Sequence, residues 1–576
     1  MLKLPAVARG DIPADLVIKN AKIANVFTGE YELSDVAVHQ GKIAGIGHYN
    51  AKTSYDAQGR VLIPSLIDGH IHIEDTMLTP ENFALESVKH GTGTVFADPH
   101  EIANALGMSG LQFMFRASQN LPIDIFYGAP SCVPASELEK PLDALDALSI
   151  HDMFTRRLTH HLGEMMNFPA VINGDPEVWS KILTASALNV PLTGHAPGVS
   201  GHALNAYLSS GISSDHECTD INEAREKLRR GMWLMLREGS TFRDLRKLLQ
   251  LIKENPLNAS RLMAVSDDIT ARYLVNTGHM DEKIRIMLSE KWLDPFTALR
   301  LVTLNPAEYF GLHDRGAIAP SRLADFALLD SDTLDEHFTI SEVWKAGKLV
   351  ARDGDAFSMY DTEHTAPVLA VRTTNIPEPE ALAVHAGGEI MRVIGIQEGT
   401  AITKTLTLAP KLEGGCVVPD SERDIAKIVV LDRHHNSGKF SVGFVHGMGI
   451  RHGAIGSSIA HDAHNYVVIG MDDESIHTAL CALAGMGGGV VAALGGDVRA
   501  EFGLPVGGLM SYLDAESVSA GLEAVENSAS ELGVKAGHPF MVMSFLCLSV
   551  IPALRITDIC GYVDISSGGV QSLFVE

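Results

Sequence analysis

The run VLIPSLIDGHIHIE closes an apolar stretch with two histidines one residue apart, His70 and His72. On an extended strand the side-chain period of two puts both imidazoles on one face, where two neutral ring nitrogens can grip one metal ion. An isolated His-x-His more often only shares a face, so the rest of the chain decides. Later apolar runs end in the same way, with Glu164 in HHLGEMMN, His195 in PLTGHAPG, His216 in ISSDHE and Asp267 in LMAVSDD. Four imidazoles and two carboxylates suffice for two first-row divalent ions with one carboxylate bridging them. Taken singly, the histidines read as well as loop residues, and the carboxylates as helix-start acids. Their joint appearance at the ends of different strands reads as a metal centre.

Residues this far apart in the chain need a scaffold that gathers strand ends on one rim. After Val61 the segments LIDGHIHIE, GTVFADPHE, IDIFYGAPSC, HHLGEMMN, PLTGHAPG, ISSDHE, MWLMLREGS and LMAVSDD recur, most of them separated by helix-length connections. That count is the one a (β/α)8 barrel requires, and such a barrel carries its site at the carboxyl ends of the strands. Short alternating runs before the barrel and after it (GAIAPSRLADFALLD, SEVWKAGKLVARDGD) predict a small β-sandwich built from chain on both sides. The remainder mixes strands such as KIVVLD and YVVIGM with the helical DESIHTALCALAG. The expected class is therefore α/β, divided at 1–62 and 315–365 for the small β domain, 63–314 for the barrel and 366–576 for a C-terminal α+β domain.

Composition narrows the partners. The 576 residues carry 45 Lys and Arg against 71 Asp and Glu, a formal charge of -26, which disfavours nucleic acid or an anionic membrane as partner. The six cysteines are scattered and form no Cys-x-x-Cys, which fits a reducing cytoplasm rather than a disulfide framework. The start, MLKLPAVARGDIPADL, has no apolar core of signal-peptide length. One uncharged run, Ile476 to Gly496, is long enough to raise a membrane span, but Gly487, Gly488 and Gly489 in its middle read as a turn between helix and strand.

The order His-x-His, Glu, His, His, Asp on a barrel flanked by a split sheet resembles the amidohydrolase superfamily, and TLNPAEYFGLHDRGAIAPSRLADFALL resembles its barrel-exit segment. More narrowly the chain resembles the adenine deaminase family, through IDGHIHIEDTMLTPENF, TGTVFADPHEIANALG, LGEMMNFPAVI, LTGHAPGVSGHALNAYLSSGISSDHE and the C-terminal AHDAHNYVVIG, GLPVGGLMS and PFMVMSFLCLSVIPALRITDIC. One departure is Ser321, where the superfamily usually has Gly after the Pro of the exit turn. Another is that many relatives bridge their ions with a carboxylated lysine, whereas the fourth strand offers Glu164 and no lysine, as adenine deaminases do.

The resemblance implies two divalent ions, manganese or iron with zinc also suited, at His70, His72, Glu164, His195, His216 and Asp267, and a homodimer. It further implies hydrolysis of adenine to hypoxanthine and ammonia by a metal-bound hydroxide, with Asp267 taking the proton from the water. Glu217 is the second catalytic candidate, for contacting or protonating the purine, and reads equally as a solvated carboxylate. Arg237 and Glu238 either orient the base or pair with each other. Asp98, His100 and Glu101 read as support for the metals or as a helix cap. His461 and His464, in AHDAHN, belong to a segment expected to close over the barrel mouth and border the purine, with a surface loop as the plainer reading; with Asp462 they also read as a separate metal site, which the lack of a further dense ligand cluster nearby disfavours. A cyclic-amide hydrolase, an enzyme for another purine, and a barrel that binds metal without catalysis are the competing functions.

Overall fold

The structure, a computed structural model, describes residues 3–357, 375–397, 400, 402–567 and 569–575. Eight short strands follow one another through its middle: β1 (Leu66–Ile71), β2 (Thr92–Ala97), β3 (Asp124–Ala129), β4 (His161–Met165), β5 (Leu192–Gly194), β6 (Ser214–Asp215), β7 (Trp233–Arg237) and β8 (Leu262–Val265). β1 to β5 pair in parallel as one sheet and β6 to β8 as another. Backbone bonds join the two at both seams. The Ser213 N–H donates to the Leu192 carbonyl at 3.2 Å, and the Asp267 N–H to the His70 carbonyl at 2.9 Å. The ring is thus a closed (β/α)8 barrel. Its strands are almost wholly buried, as parallel strands covered by helices must be.

The barrel is filled at one end only. Phe310, from the chain leaving the last helix, stacks on Phe96 with centroids 3.5 Å apart, among Ile67, Met235 and Met263. The other end, where the strands finish, is left for polar side chains. β1 stops at Ile71, short of His72, but His72 remains extended (φ -101°, ψ 104°) and donates its N–H to the Asp267 carbonyl at 3.3 Å. The two-residue period therefore survives past the strand end.

Chain from both flanks builds the small β unit. Val61–Pro64 pairs in parallel with Ala14–Asn25 on one side and antiparallel with Phe326–Leu329 on the other. The expected sandwich is one continuous nine-stranded sheet that curls until Lys42 bridges Leu323, enclosing Ile18, Val36, Leu62, Phe326 and Trp344. Ser321 sits in the exit turn at φ 73°, a left-handed conformation that glycine adopts without steric cost.

Beyond it an eight-stranded sheet carries the helices Asp473–Met486 and Ala515–Glu531. Gly487 caps the first of these at φ 77° and Gly489 opens the next strand, so the uncharged run is a helix, a turn and a strand. Among the described residues no helix is long and apolar enough to cross a membrane. This C-terminal region sits on the barrel rim: the Ser511 N–H donates to the Met77 carbonyl at 2.8 Å, and Ser136 and Ser549 share a hydroxyl bond of 2.6 Å. The expected boundary at 365/366 lies outside the described residues.

Candidate active site

Glu164, on β4, is the hub. Its Oε1 lies 3.2 Å from His72 Nε2 and 3.7 Å from His70 Nε2, and its Oε2 lies 2.8 Å from His195 Nδ1 and 3.3 Å from His216 Nε2. One carboxylate oxygen thus faces each imidazole pair, the arrangement expected of a group bridging two ions. Asp267 adds Oδ1 to the first pair, 3.4 Å from His70 Nε2 and 3.3 Å from His72 Nε2. All six are buried, and His70 Nε2, which faces both Glu164 and Asp267, has no hydrogen-bond partner among the described residues. A buried nitrogen without a proton partner, aimed at shared carboxylates, fits a cation. Two sets form: His70, His72, Asp267 and one oxygen of Glu164, then His195, His216 and the other oxygen.

Electrostatics agree with that division. Burial opposes charge on His72, but the Asp267 and Glu164 carboxylates outweigh it and hold the imidazole well above its usual range. Burial also opposes charge on His216, and Glu164 lifts it to about 9. Glu164 is held well below the usual carboxylate range against its burial, chiefly by His216 and His195. The cluster draws positive charge, as protons or as ions.

Curated relatives match from end to end. The adenine deaminase of Desulfatibacillum aliphaticivorans is 42% identical over 569 residues, 99% of each chain. The chain belongs to the adenine deaminase family. Adenine deaminase 2 of Carboxydothermus hydrogenoformans is also 42% identical, over 98% of each chain, and the adenine deaminase of Methanothrix thermoacetophila is 39% identical over 100% of this chain and 99% of its own. The amidohydrolase family description matches residues 61–350, and the adenine deaminase C-terminal domain matches 400–568. Amidohydrolases of this kind use divalent metal, which agrees with the ligand chemistry above.

In this member of the adenine deaminase family the flanking candidates fall into different places. Arg237, ending β7, donates from Nη1 to Glu217 Oε1 at 2.5 Å and to Asp267 Oδ2 at 2.8 Å. It pairs with these, whereas Glu238 turns away and its carboxyl, raised by burial, is eased by Lys283 and Arg243. Glu217 Oε1 also stands 3.5 Å from His216 Nε2. A cavity of about 750 Å³ opens over the cluster, walled by Arg237, Glu217, Asp268, His461 and Asp462 with Phe242, Phe545 and Met166. That size accommodates a small heterocycle. His461 reaches the cavity wall from the C-terminal region; His464 stands behind it, its Nε2 donating to Glu101.

Supporting residues set these groups. The Asp98 carbonyl accepts from His72 Nδ1 at 3.1 Å, which turns Nε2 toward the carboxylates, and Asp98 Oδ2 accepts the Glu164 N–H at 2.6 Å. Gly163 permits that approach, since a Cβ there would lie 2.4 Å from Asp98 Oδ2. Tyr207 accepts the His195 N–H at 3.0 Å. Sequence reading passed over Lys227, which is fully buried and donates to the Ala196 carbonyl at 2.5 Å and Asp215 Oδ2 at 3.0 Å. Nothing in INEAREKLRR distinguishes it from an exposed helix lysine. Phe242 and Phe545 also went unnoticed, because their place on the cavity wall exists only where the C-terminal region meets the rim.

Proposed function

We propose that the chain hydrolyses adenine to hypoxanthine and ammonia, with His70, His72, Glu164, His195, His216 and Asp267 holding two divalent ions. The observation that carries this reading is Glu164 between two imidazole pairs, in a chain matched over its whole length by adenine deaminases. When bound, the ions supply an acidified water that is a nucleophile near neutral pH. Asp267 Oδ1 stands beside the first imidazole pair and takes the proton released at attack, while Arg237 on Oδ2 holds the carboxylate in place. Glu217, held by the same arginine at the cavity wall, faces the ring and delivers a proton to a purine nitrogen. His461 and the apolar faces of Phe242 and Phe545 border the base and exclude water.

Imidazole and carboxylate ligands suit manganese, iron and zinc, and the family points to manganese or iron. The same reading places the enzyme in a reducing cytoplasm, supported by six free cysteines, as a homodimer serving purine salvage, with the domain limits given above. Light scattering checks the dimer. The decisive assay measures ammonia release from adenine, other purines and cyclic amides by protein reconstituted with each metal. Adenine is expected to lead; preference for a cyclic amide would transfer the same residues to that hydrolysis.

A further inference from the structure

We infer that His461 of the C-terminal region, with Asp75 and Asp268 of the barrel rim, forms a third divalent-cation site that clasps the two regions together. Asp75 lies in the 3-10 turn Ile73–Thr76 after β1, and Asp268 follows Asp267 at the end of β8. His461 comes from the loop between the strands Ala454–Ser457 and Tyr466–Gly470. The three are 3%, 8% and 3% exposed. The Asp75 and Asp268 carboxyl groups lie within hydrogen-bonding reach of each other. Two carboxylates brought together out of water require a proton between them or a cation beside them.

The imidazole is prepared for the second solution. His461 Nδ1 donates to Glu101 Oε1 at 2.7 Å, which turns Nε2 toward Asp75; against burial, Glu101 and Asp75 hold a proton on the ring, and an ion at Nε2 takes that proton's place. That nitrogen has no hydrogen-bond partner among the described residues and faces Asp75 Oδ1 at 3.7 Å; Asp75 Oδ2 is also without one. Carboxylate-held imidazoles of this kind are the usual metal ligands. Two donors about 2.0–2.2 Å from one ion at a tetrahedral angle lie about 3.3–3.6 Å apart, close to the observed gap. Glu101, His461 and His464 also cluster, but that trio is satisfied without an ion. The Ala460 N–H donates to His464 Nδ1 at 3.2 Å, which places the His464 hydrogen on Nε2, pointing at Glu101. One nitrogen and two carboxylates suit Mn2+, Fe2+ or Zn2+.

The test uses the full chain, stripped of metal, loaded with excess Mn2+ and desalted. Plasma mass spectrometry should find one ion fewer per chain in Asp75→Asn than in wild type, and wild-type crystals should show an anomalous manganese peak between His461 and Asp75. Equal counts in wild type and variant, or no peak at that position, overturns the site. The crystal measurement decides the matter even if the variant fails to fold. Neither readout depends on which ring the enzyme hydrolyses or on the number of ions in the barrel.

Discussion

Asp267 presents Oδ1 to His70 and His72 and Oδ2 to Arg237, a geometry that suits the two roles proposed for it, ligand and proton acceptor. It does so from the left-handed region (φ 59°), which Asp tolerates better than most residues and which turns its backbone back onto β1. Asp267→Asn keeps an oxygen for the ion and loses the basicity. It is expected to retain metal while kcat/KM falls about 10²–10⁴-fold. A fall of less than about tenfold, measured at full metal occupancy, would contradict the assigned role. Glu164→Gln makes the contrasting case, because an amide bridges poorly: here the metal content itself should drop, as read by mass spectrometry.

At the scale of elements, β4 and β5 hold the hub and depend on packing that leaves no slack. Gly163→Ala would push a methyl into the Asp98 carboxylate and release the Glu164 backbone. Loss of such outer support typically weakens metal affinity about 10–100-fold, which a competition titration against a chelator would detect. Lys227 braces the next junction. Burial opposes its charge, yet Asp215, Cys218 and Glu223 hold it above the usual lysine range, and Asp215 is lowered in return despite its own burial, chiefly by Lys227. Lys227→Ala would strand that carboxylate at a cost of about 3–5 kcal/mol. Thermal unfolding of the metal-loaded variant should show a clearly lower Tm; an unchanged Tm would make the pair dispensable.

For the whole molecule, protons and ions compete for one cluster. Without metal, His216 titrates at about 9 against an ordinary 6.5, because Glu164 outweighs burial. A raised folded-state value stabilises fully below about 6.5 and is lost as pH rises through about 9, so the metal-free chain should lose Tm over that window. Metal binding must displace the proton, so affinity should rise over the same window with proton release on titration. Calorimetry in buffers of different ionisation enthalpy measures that release directly, and its absence at pH 7 would mean the imidazoles are already neutral.

Local pattern by itself determined a good deal. The eight apolar runs, each closing in polar residues, are legible because strand period and turn signals act within a few residues, and they named the six side chains, Glu164 among them, that the barrel rim brings together. The glycine turn after Met486 was legible for the same reason. Only the tertiary structure decided which imidazole faces which Glu164 oxygen, that Arg237 pairs with Glu217 and Asp267 rather than with Glu238, and that His461 reaches the cavity while His464 backs it. It also decided that Lys227 is buried. These outcomes depend on closing the barrel between β8 and β1 and on seating chain beyond residue 450 against the rim. Contacts between residues hundreds of positions apart are set by that packing, and no periodicity within a segment encodes them.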